Sequence, residues 1–412
     1  MRIAIALSLS LTGEYAPMGK QAEAALRRFV ADANASSNFR VGGEHCEFVL
    51  ECRDDGSEPA RCAEIYRELC TDRRNDLIFG PYSNRLARVA APIAADAGRV
   101  FVNHGGAGEA LYARGNRLLV GVLTPAGDYT RGFIRMLATL KFWRKRIAIV
   151  AAKSEFALAV AAGAERAAAE RAARRHGVKV RVKWSGAFDA EAAPARLFPA
   201  LRRNRVNVLF SAGPYEYDVA VMRAVAATPL NIPVLGCVAA GVRRFREGLG
   251  ELADGIVGPS QWEESLDLAP ELGPTPVEFA RRMRAAGFAD PDYPAAQAYA
   301  AGLLAAAAIS TAGELDQAKI RAAFSELRTS TLFGDFAIDR VTGRQIGHSM
   351  LLVQWHDGRK LIIDPEAHAE TGELEFPSGW RLLLAGAEML KLSRRGPVDK
   401  MEDDDGEEPD RD

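Results

Sequence analysis

Signatures of catalysis and redox chemistry are scarce in this sequence. Six histidines are scattered over 412 residues, and His45, His348, His356 and His368 fall in turns or at strand ends with no assembled partner. There is no GxSxG elbow, no HExxH pair and no dinucleotide glycine fingerprint, so hydrolytic, zinc-protease and nucleotide-dependent redox chemistry have no motif to stand on. An enzyme is therefore not expected, and neither is a cofactor. The cysteines, Cys46, Cys52, Cys62, Cys70 and Cys237, number five, and an odd count leaves at least one thiol free. Cys62 and Cys70 share one face of a predicted helix about two turns apart and cannot bridge within it. Cys52 could reach either of them if that helix folds back. No CxxC or neighbouring histidine pair accompanies them, so no metal site is expected.

An excess of one charge is missing too. The 53 basic and 54 acidic residues leave a formal charge of -1, which points away from nucleic acid or an anionic membrane as partner. The arginine-rich stretch 171–176 reads as a solvated helix face. No run of about 18 apolar residues offers a membrane span. A secretory leader is not apparent either, because the residues after the apolar stretch 2–10 already belong to a fold. Taken literally, the chain starts inside its first strand. Either it stays in the cytoplasm, or its true start lies upstream with an exporting leader.

What is present is ordinary globular material, 48% hydrophobic and 26% charged, and enough of it for about two or three domains. The stretch 77–112 organises the chain. Leu77, Ile78 and Phe79 form a short apolar run ending at Gly80, and Leu86, Val89, Ala90, Ile93 and Ala97 recur at helical spacing. The turn between them, Pro81-Tyr82-Ser83-Asn84, can cap that helix or offer free amides to an anion. A second strand, 100–102, runs into Asn103-His104-Gly105-Gly106-Ala107-Gly108, where missing side chains let a ligand approach the main chain. Loops at the carboxyl ends of neighbouring parallel strands are where open α/β sheets bind small molecules. The glycine loop has no following lysine of P-loop spacing, so phosphate is not the expected ligand.

In chain order, strands are predicted at 3–7, 48–52, 77–79 and 100–102 with helices at 21–34 and 59–73. This alternation demands a parallel sheet with helices on both faces. After a strand at 118–123 the pattern restarts: helices at 130–141, 156–176, 192–204 and 217–227, with strands at 146–151, 178–184, 208–211 and 233–236. Residues 255–259 read as a strand leading into another crossing. Helices at 275–286 and 292–312 have too few strands around them to make a lobe and must pack on one already built. A β-rich piece at 333–338 and 349–363 resembles a hairpin. A helix is expected at 379–392. The acidic end, 399–412, has no apolar run and should be disordered.

This order of elements resembles the type I periplasmic binding protein family, in the branch that binds branched-chain amino acids. Residues 9–19 resemble its LTG-x-x-A-x-x-G entry, Asp54-Asp55 its DD pair, 80–84 its G-x-x-S-S turn and 104–111 its S-P-x-A-T-x-P-x-L loop. Residues 352–358 with 362–365 resemble its V-Q-W-x-x-G ending, so the likeness covers about 2–365. The resemblance implies an α/β fold of two doubly wound parallel-sheet lobes joined by three hinge crossings, with a ligand cleft between them. It places one lobe at 1–122 plus 262–332 and the other at 123–258 plus 335–363, with a C-terminal extension at 364–398 and the acidic tail beyond. Hinges are implied near 122–124, 257–259 and 332–334.

The ligand residues implied by the resemblance are Ser83 or Asn84 in the first turn, His104, Gly105 and Ala107 in the second, and Met18 in the entry loop. From the other lobe come Phe156, Tyr215 and Val238. The family's Thr and Pro in the second turn are replaced by Ala107 and His104. The acidic residue expected after the strand ending at Gly236 is replaced by the run Cys237-Val238-Ala239-Ala240. Without that carboxylate an ammonium group would be buried unpaired, so a neutral or anionic ligand is expected unless Glu216 or Glu155 substitutes. Plainer roles stand beside these: Ser83 or Asn84 as helix caps, His104 held by backbone, Phe156 and Tyr215 as packing. The implied function is capture of a small polar ligand, amino acid-like, an amide or an organic or aromatic acid, for an ABC transporter permease. The alternative is a cytoplasmic sensor of the same fold, acting on a regulatory protein partner.

Overall fold

The computed structural model describes residues 1–383 except 37–38, 114, 141–143, 189–191, 231, 372 and 377–380. Ile3, Ala4, Ile5, Ala6 and Leu7 are all buried, as a parallel strand covered on both faces must be. This strand, β1 (Arg2–Leu9), lies between β2 (Glu47–Asp54) and β3 (Leu77–Phe79). With β4 (Phe101–Asn103) and β5 (Leu119–Gly121) they form a parallel five-stranded sheet in the order β2-β1-β3-β4-β5. α1 (Ala16–Ala35) covers one face, and α2 (Pro59–Thr71) packs with α3 (Asn84–Asp96) on the other. All five cysteines are unpaired, so Cys52 bridges neither Cys62 nor Cys70.

The second sheet starts after α4 (Arg131–Thr139) and uses β6 (Lys145–Ala151), α5 (Glu155–Ala169), β7 (Val178–Ser185), α6 (Ala192–Arg203) and β8 (Val208–Ala212). α7 (Tyr215–Ala226), β9 (Val234–Cys237) and β10 (Val257–Ser260) follow. The helix expected over 156–176 breaks at Glu170, whose ψ of 146° is extended, and resumes as the short turn Arg171–Arg175. β7 alternates buried or half-buried positions with exposed ones, turning Lys179, Arg181 and Lys183 to water, as an edge strand does.

Three more helices, α8 (Pro276–Ala285), α9 (Tyr293–Ala312) and α10 (Gln317–Glu326), return to the first sheet, with α9 packed on α1, α10 and β4. A Cβ on Gly302 of α9 would come within 2.5 Å of the Phe29 ring of α1, so the two helices touch at that glycine. By length and composition α9 could cross a membrane, contrary to the sequence expectation that no such segment exists. With 78% of that window buried inside the fold, it is a core helix. α10 was not foreseen; its signal is Asp316, whose side chain caps it by accepting from Lys319 N at 2.9 Å.

β11 (Thr329–Thr331) and β12 (Gly334–Phe336) form a small hairpin at the place of the expected third hinge, 332–334, but the crossing to the second sheet comes only after residue 347. Residues 338–347, expected with the second lobe, instead run beside the first sheet: Gly121 N donates to Gly343 O at 2.8 Å and Gln345 Nε2 to Val122 O at 3.1 Å. The chain then enters the second sheet as the antiparallel pair β13 (Leu351–His356) and β14 (Arg359–Asp364), giving the order β14-β13-β10-β9-β8-β6-β7. The positive φ of Asp357 and Gly358 turns this hairpin. The chain thus crosses between sheets three times. The second crossing begins at Gln261, because the expected 257–259 lies within β10. Residues Arg381–Leu383, assigned from the sequence to a helix, pair as a strand with Glu373–Glu375. The remainder of that expected helix and the acidic tail lie outside the described residues.

Candidate functional site

Two loops at the carboxyl ends of β3 and β4 are pressed together. A Cβ on Gly105 would lie 2.3 Å from Pro81 O and 2.7 Å from Tyr82 Cα, so only glycine lets the second loop rest on the first. Asn84 Oδ1 accepts from Gly108 N at 3.0 Å, and Asn103 closes the glycine loop by bonding both N and O of Gly106. Ala107 is buried, and its carbonyl accepts from Ala126 N, beyond the first crossing, at 2.8 Å. Between these contacts sits Ser83. Its φ is 146°, a conformation side chains other than glycine's rarely adopt. It precedes α3 without capping it, and its Oγ is buried with no hydrogen-bond partner. Asn84 therefore has a structural job, whereas Ser83 carries both strain and an unused hydroxyl.

His104 is fully buried, with its ring 6.3 Å from that of Phe79, and neither ring nitrogen meets a partner in good geometry. Burial pushes its pKa down to about 4, so the imidazole is neutral at neutral pH. Met18 is half-buried in the first turn of α1. The aromatic ring of that entry loop is Tyr15, 6.4 Å from Tyr82 in an edge-on arrangement. The Tyr82 hydroxyl bonds that of Tyr293 at the start of α9. The entry loop itself is held by the acidic pair: Asp55 accepts from the hydroxyls of Ser8 at 2.7 Å and Ser10 at 2.6 Å, and Asp54 from Leu11 N at 2.9 Å.

On the other side, Phe156 in the first turn of α5 sets its ring edge-on to Tyr129 at 5.3 Å, and Tyr129 OH accepts from Gln261 Nε2 at 2.9 Å. Phe156, Val238, Tyr82 and Tyr293 all pack against one continuous core that spans both sheets. Val238 sits on a loop anchored from behind by Asp218, a fully buried carboxyl that accepts from Ser211 Oγ at 2.7 Å and Ala239 N at 2.9 Å. Burial raises its pKa to about 7. Tyr215 belongs elsewhere: it packs in the second lobe's own core, its OH donates to Arg244 O at 3.0 Å, and the Arg244 guanidinium lies 4.3 Å from its ring centre. The structure does not join it to the other candidates.

The two halves touch through charged pairs. Arg88 of α3 binds Glu155 of α5, Arg166 of α5 lies 3.5 Å from Glu109, and Arg243 lies 3.2 Å from Asp290. Glu155 is thus engaged through one oxygen, while the other is buried without a partner. Glu216 is exposed.

A family model described as periplasmic binding protein matches residues 2–360. The chain belongs to the periplasmic binding protein family. Solved structures agree in fold at low identity. A substrate-binding protein of an ABC transporter from Desulfitobacterium hafniense, in complex with Leu, is 17% identical with a TM-score of 0.73 over 88% of this chain and 100% of that one. A solute-binding protein from R. palustris in complex with benzoate is 19% identical with a TM-score of 0.67, covering 88% and 96% of the two chains. The LivJ protein of Streptococcus pneumoniae in complex with isoleucine is 16% identical with a TM-score of 0.69, covering 89% and 100%. Membership places the chain among binding proteins rather than enzymes, in a family that typically works outside the cytoplasm.

Sequence reasoning missed the phenols of this binding protein's cleft. Tyr82 stood in the quoted turn, but its role needed its partner Tyr293, 211 residues away. Burial pushes the Tyr82 phenol up to about 12 and those of Tyr129 and Tyr293 higher still, so all three stay protonated.

Proposed function

We propose that this chain is the solute-binding component of an ABC importer and that its ligand is a small aromatic or organic carboxylate in preference to a free α-amino acid. The observation that carries the proposal is Ser83: a buried hydroxyl with no partner, on strained backbone, next to Tyr82. A buried polar group without a partner costs roughly 1–3 kcal/mol, which a ligand oxygen accepting from Ser83 would recover. An α-ammonium finds fewer hosts: Asp218 is consumed by Ser211 and the loop amides and Glu216 faces water, while Glu155, tied to Arg88 through one oxygen, keeps its other oxygen buried and unpartnered and is the competing host.

On this proposal the lobes are 1–122 with 262–347 and 123–260 with 348–364. Ser83, Gly105 and Ala107 offer polar and main-chain contacts from the first lobe, with Tyr15 and Met18 beside them, while Phe156 and Val238 supply the facing wall. The exposed ion pairs across the cleft are each worth about 1 kcal/mol or less, so closure needs a ligand that binds the closed state better than the open one. The closed form is then presented to a membrane permease outside the cytoplasm. Thermal-shift measurements over benzoate, dihydroxybenzoate, leucine, isoleucine, simple amides and urea test this. A shift with an aromatic carboxylate larger than with leucine is expected. A larger shift with leucine would mean that Glu155 or another acid does grip an ammonium, and no shift with any of them would remove the ligand class altogether.

A further inference from the structure

The three crossings between the lobes meet at one buried side chain. His348 lies on the third crossing, and its Nδ1 is 2.6 Å from Thr124 Oγ1 on the first, while its Nε2 is 3.1 Å from Gln261 O on the second. A carbonyl can only accept, so Nε2 carries the proton and Nδ1 accepts from the Thr124 hydroxyl. The ring stacks on Phe333, in the turn of the β11–β12 hairpin, with centroids 4.4 Å apart and planes within 13°. The crossings are laced around it. Gln261 Nε2 donates to Thr124 O at 3.0 Å, and Trp262 Nε1 to Leu332 O at 3.0 Å. Burial lowers the imidazole pKa to about 4, so the ring is a neutral hydrogen-bonding strut rather than a charge. One edge of this junction borders a groove of about 320 Å³ lined by Thr124, Arg131, Arg344 and His348, which leaves space for the crossings to move.

We infer, resting on the two-lobe closure proposed above, that His348 is the positioning residue of the hinge: it couples the three crossings and so sets the balance between open and closed lobes. The packing around a strand that merely needs filling would accept any ring of similar size. Here each edge of the ring is bound to a different crossing, and a rotation of one lobe against the other must break or bend at least one of those bonds. The contacts exist in the geometry in which Arg88 meets Glu155 across the cleft, so they favour the closed arrangement.

The test uses no ligand, so that it stands whether or not the carboxylate assignment holds. Spin labels are placed at exposed positions on either side of the Arg88–Glu155 contact, Arg85→Cys and Lys153→Cys, in a full-length chain with Cys52→Ser, and the inter-label distance distribution is measured. In the parent a short-distance population is expected. His348→Phe keeps the stack and loses both bonds, and Thr124→Val loses one of them. Thr124→Val should lower the closed-to-open ratio about fivefold, the factor corresponding to one hydrogen bond of ordinary strength, and His348→Phe about 25-fold, the factor for two. His348→Gln, which retains a donor and an acceptor, should recover part of the loss. If both variants melt earlier but keep the parental distribution, the ring only packs and the inference is overturned. A parent with no short-distance population overturns it as well. Should His348→Phe fail to fold, Thr124→Val alone decides by the same readout.

Discussion

Ser83 combines a backbone angle that costs roughly 1–3 kcal/mol with a hydroxyl left unsatisfied at a similar cost. Both costs should vanish in Ser83→Gly, offset by about 0.5–1 kcal/mol of extra chain entropy. The variant is expected to melt a few degrees higher by scanning calorimetry while its titration with benzoate weakens tenfold or more; a variant that melts lower and binds normally would make Ser83 an ordinary turn residue. His104 makes a second prediction, in pH. Its folded pKa of about 4 lies below the ordinary 6.5, so the unfolded chain binds the extra proton and stability is lost as pH falls from 6.5 towards 4. The full effect approaches about 3 kcal/mol. Asp218 acts with the opposite sign, since its raised carboxyl loses stability as pH rises towards 7. His104→Phe should therefore flatten part of the acid limb of the melting-temperature profile, leaving the share of His348, whose pKa burial also lowers to about 4, and an unchanged limb would mean the His104 ring is solvated. Ser83 could be singled out as a candidate, together with Asn84, because turn, helix start and glycine loop are adjacent in sequence. The burial of His104 was not, because it depends on Gly105 settling against Pro81. Nor was the engagement of Tyr215 by Arg244, 29 residues on.

At the scale of elements, periodicity located most strands and helices, and the departures have local causes. The long helix stops at Glu170 although alanines continue on both sides of it. α10 escaped because its apolar positions are few and only the Asp316 cap marks it. The stretch 338–347 could not be assigned to a lobe from hydrophobic pattern, since what holds it to β5 is a main-chain bond to Gly343 and the side chain of Gln345. The most demanding contact between elements is Gly302 against Phe29. Gly302→Leu forces volume into a full core, where overpacking typically costs about 1–3 kcal/mol. A clear drop in the urea midpoint with an unchanged m-value is expected; an unaltered midpoint would mean that α1 and α9 are not in contact there.

At the scale of the molecule, two doubly wound parallel-sheet lobes were within reach of the sequence because parallel strands need helical crossovers, and the three crossings and the family followed from the motif resemblance. The residues behind the proposed ligand chemistry were only partly visible in the sequence. The missing acidic residue after Gly236 could be read directly, whereas the ring of phenols from Tyr15, Tyr82, Tyr129 and Tyr293 draws on four separate parts of the chain. On the proposed function, what unites these features is closure of two halves over a carboxylate. Small-angle scattering during a titration with benzoate measures that most directly. The radius of gyration should fall and saturate at one equivalent in the parent, and Ser83→Gly should need at least tenfold more benzoate to reach the same compact state. Binding of benzoate with no change in the radius, or compaction by leucine with benzoate inert, would contradict the account.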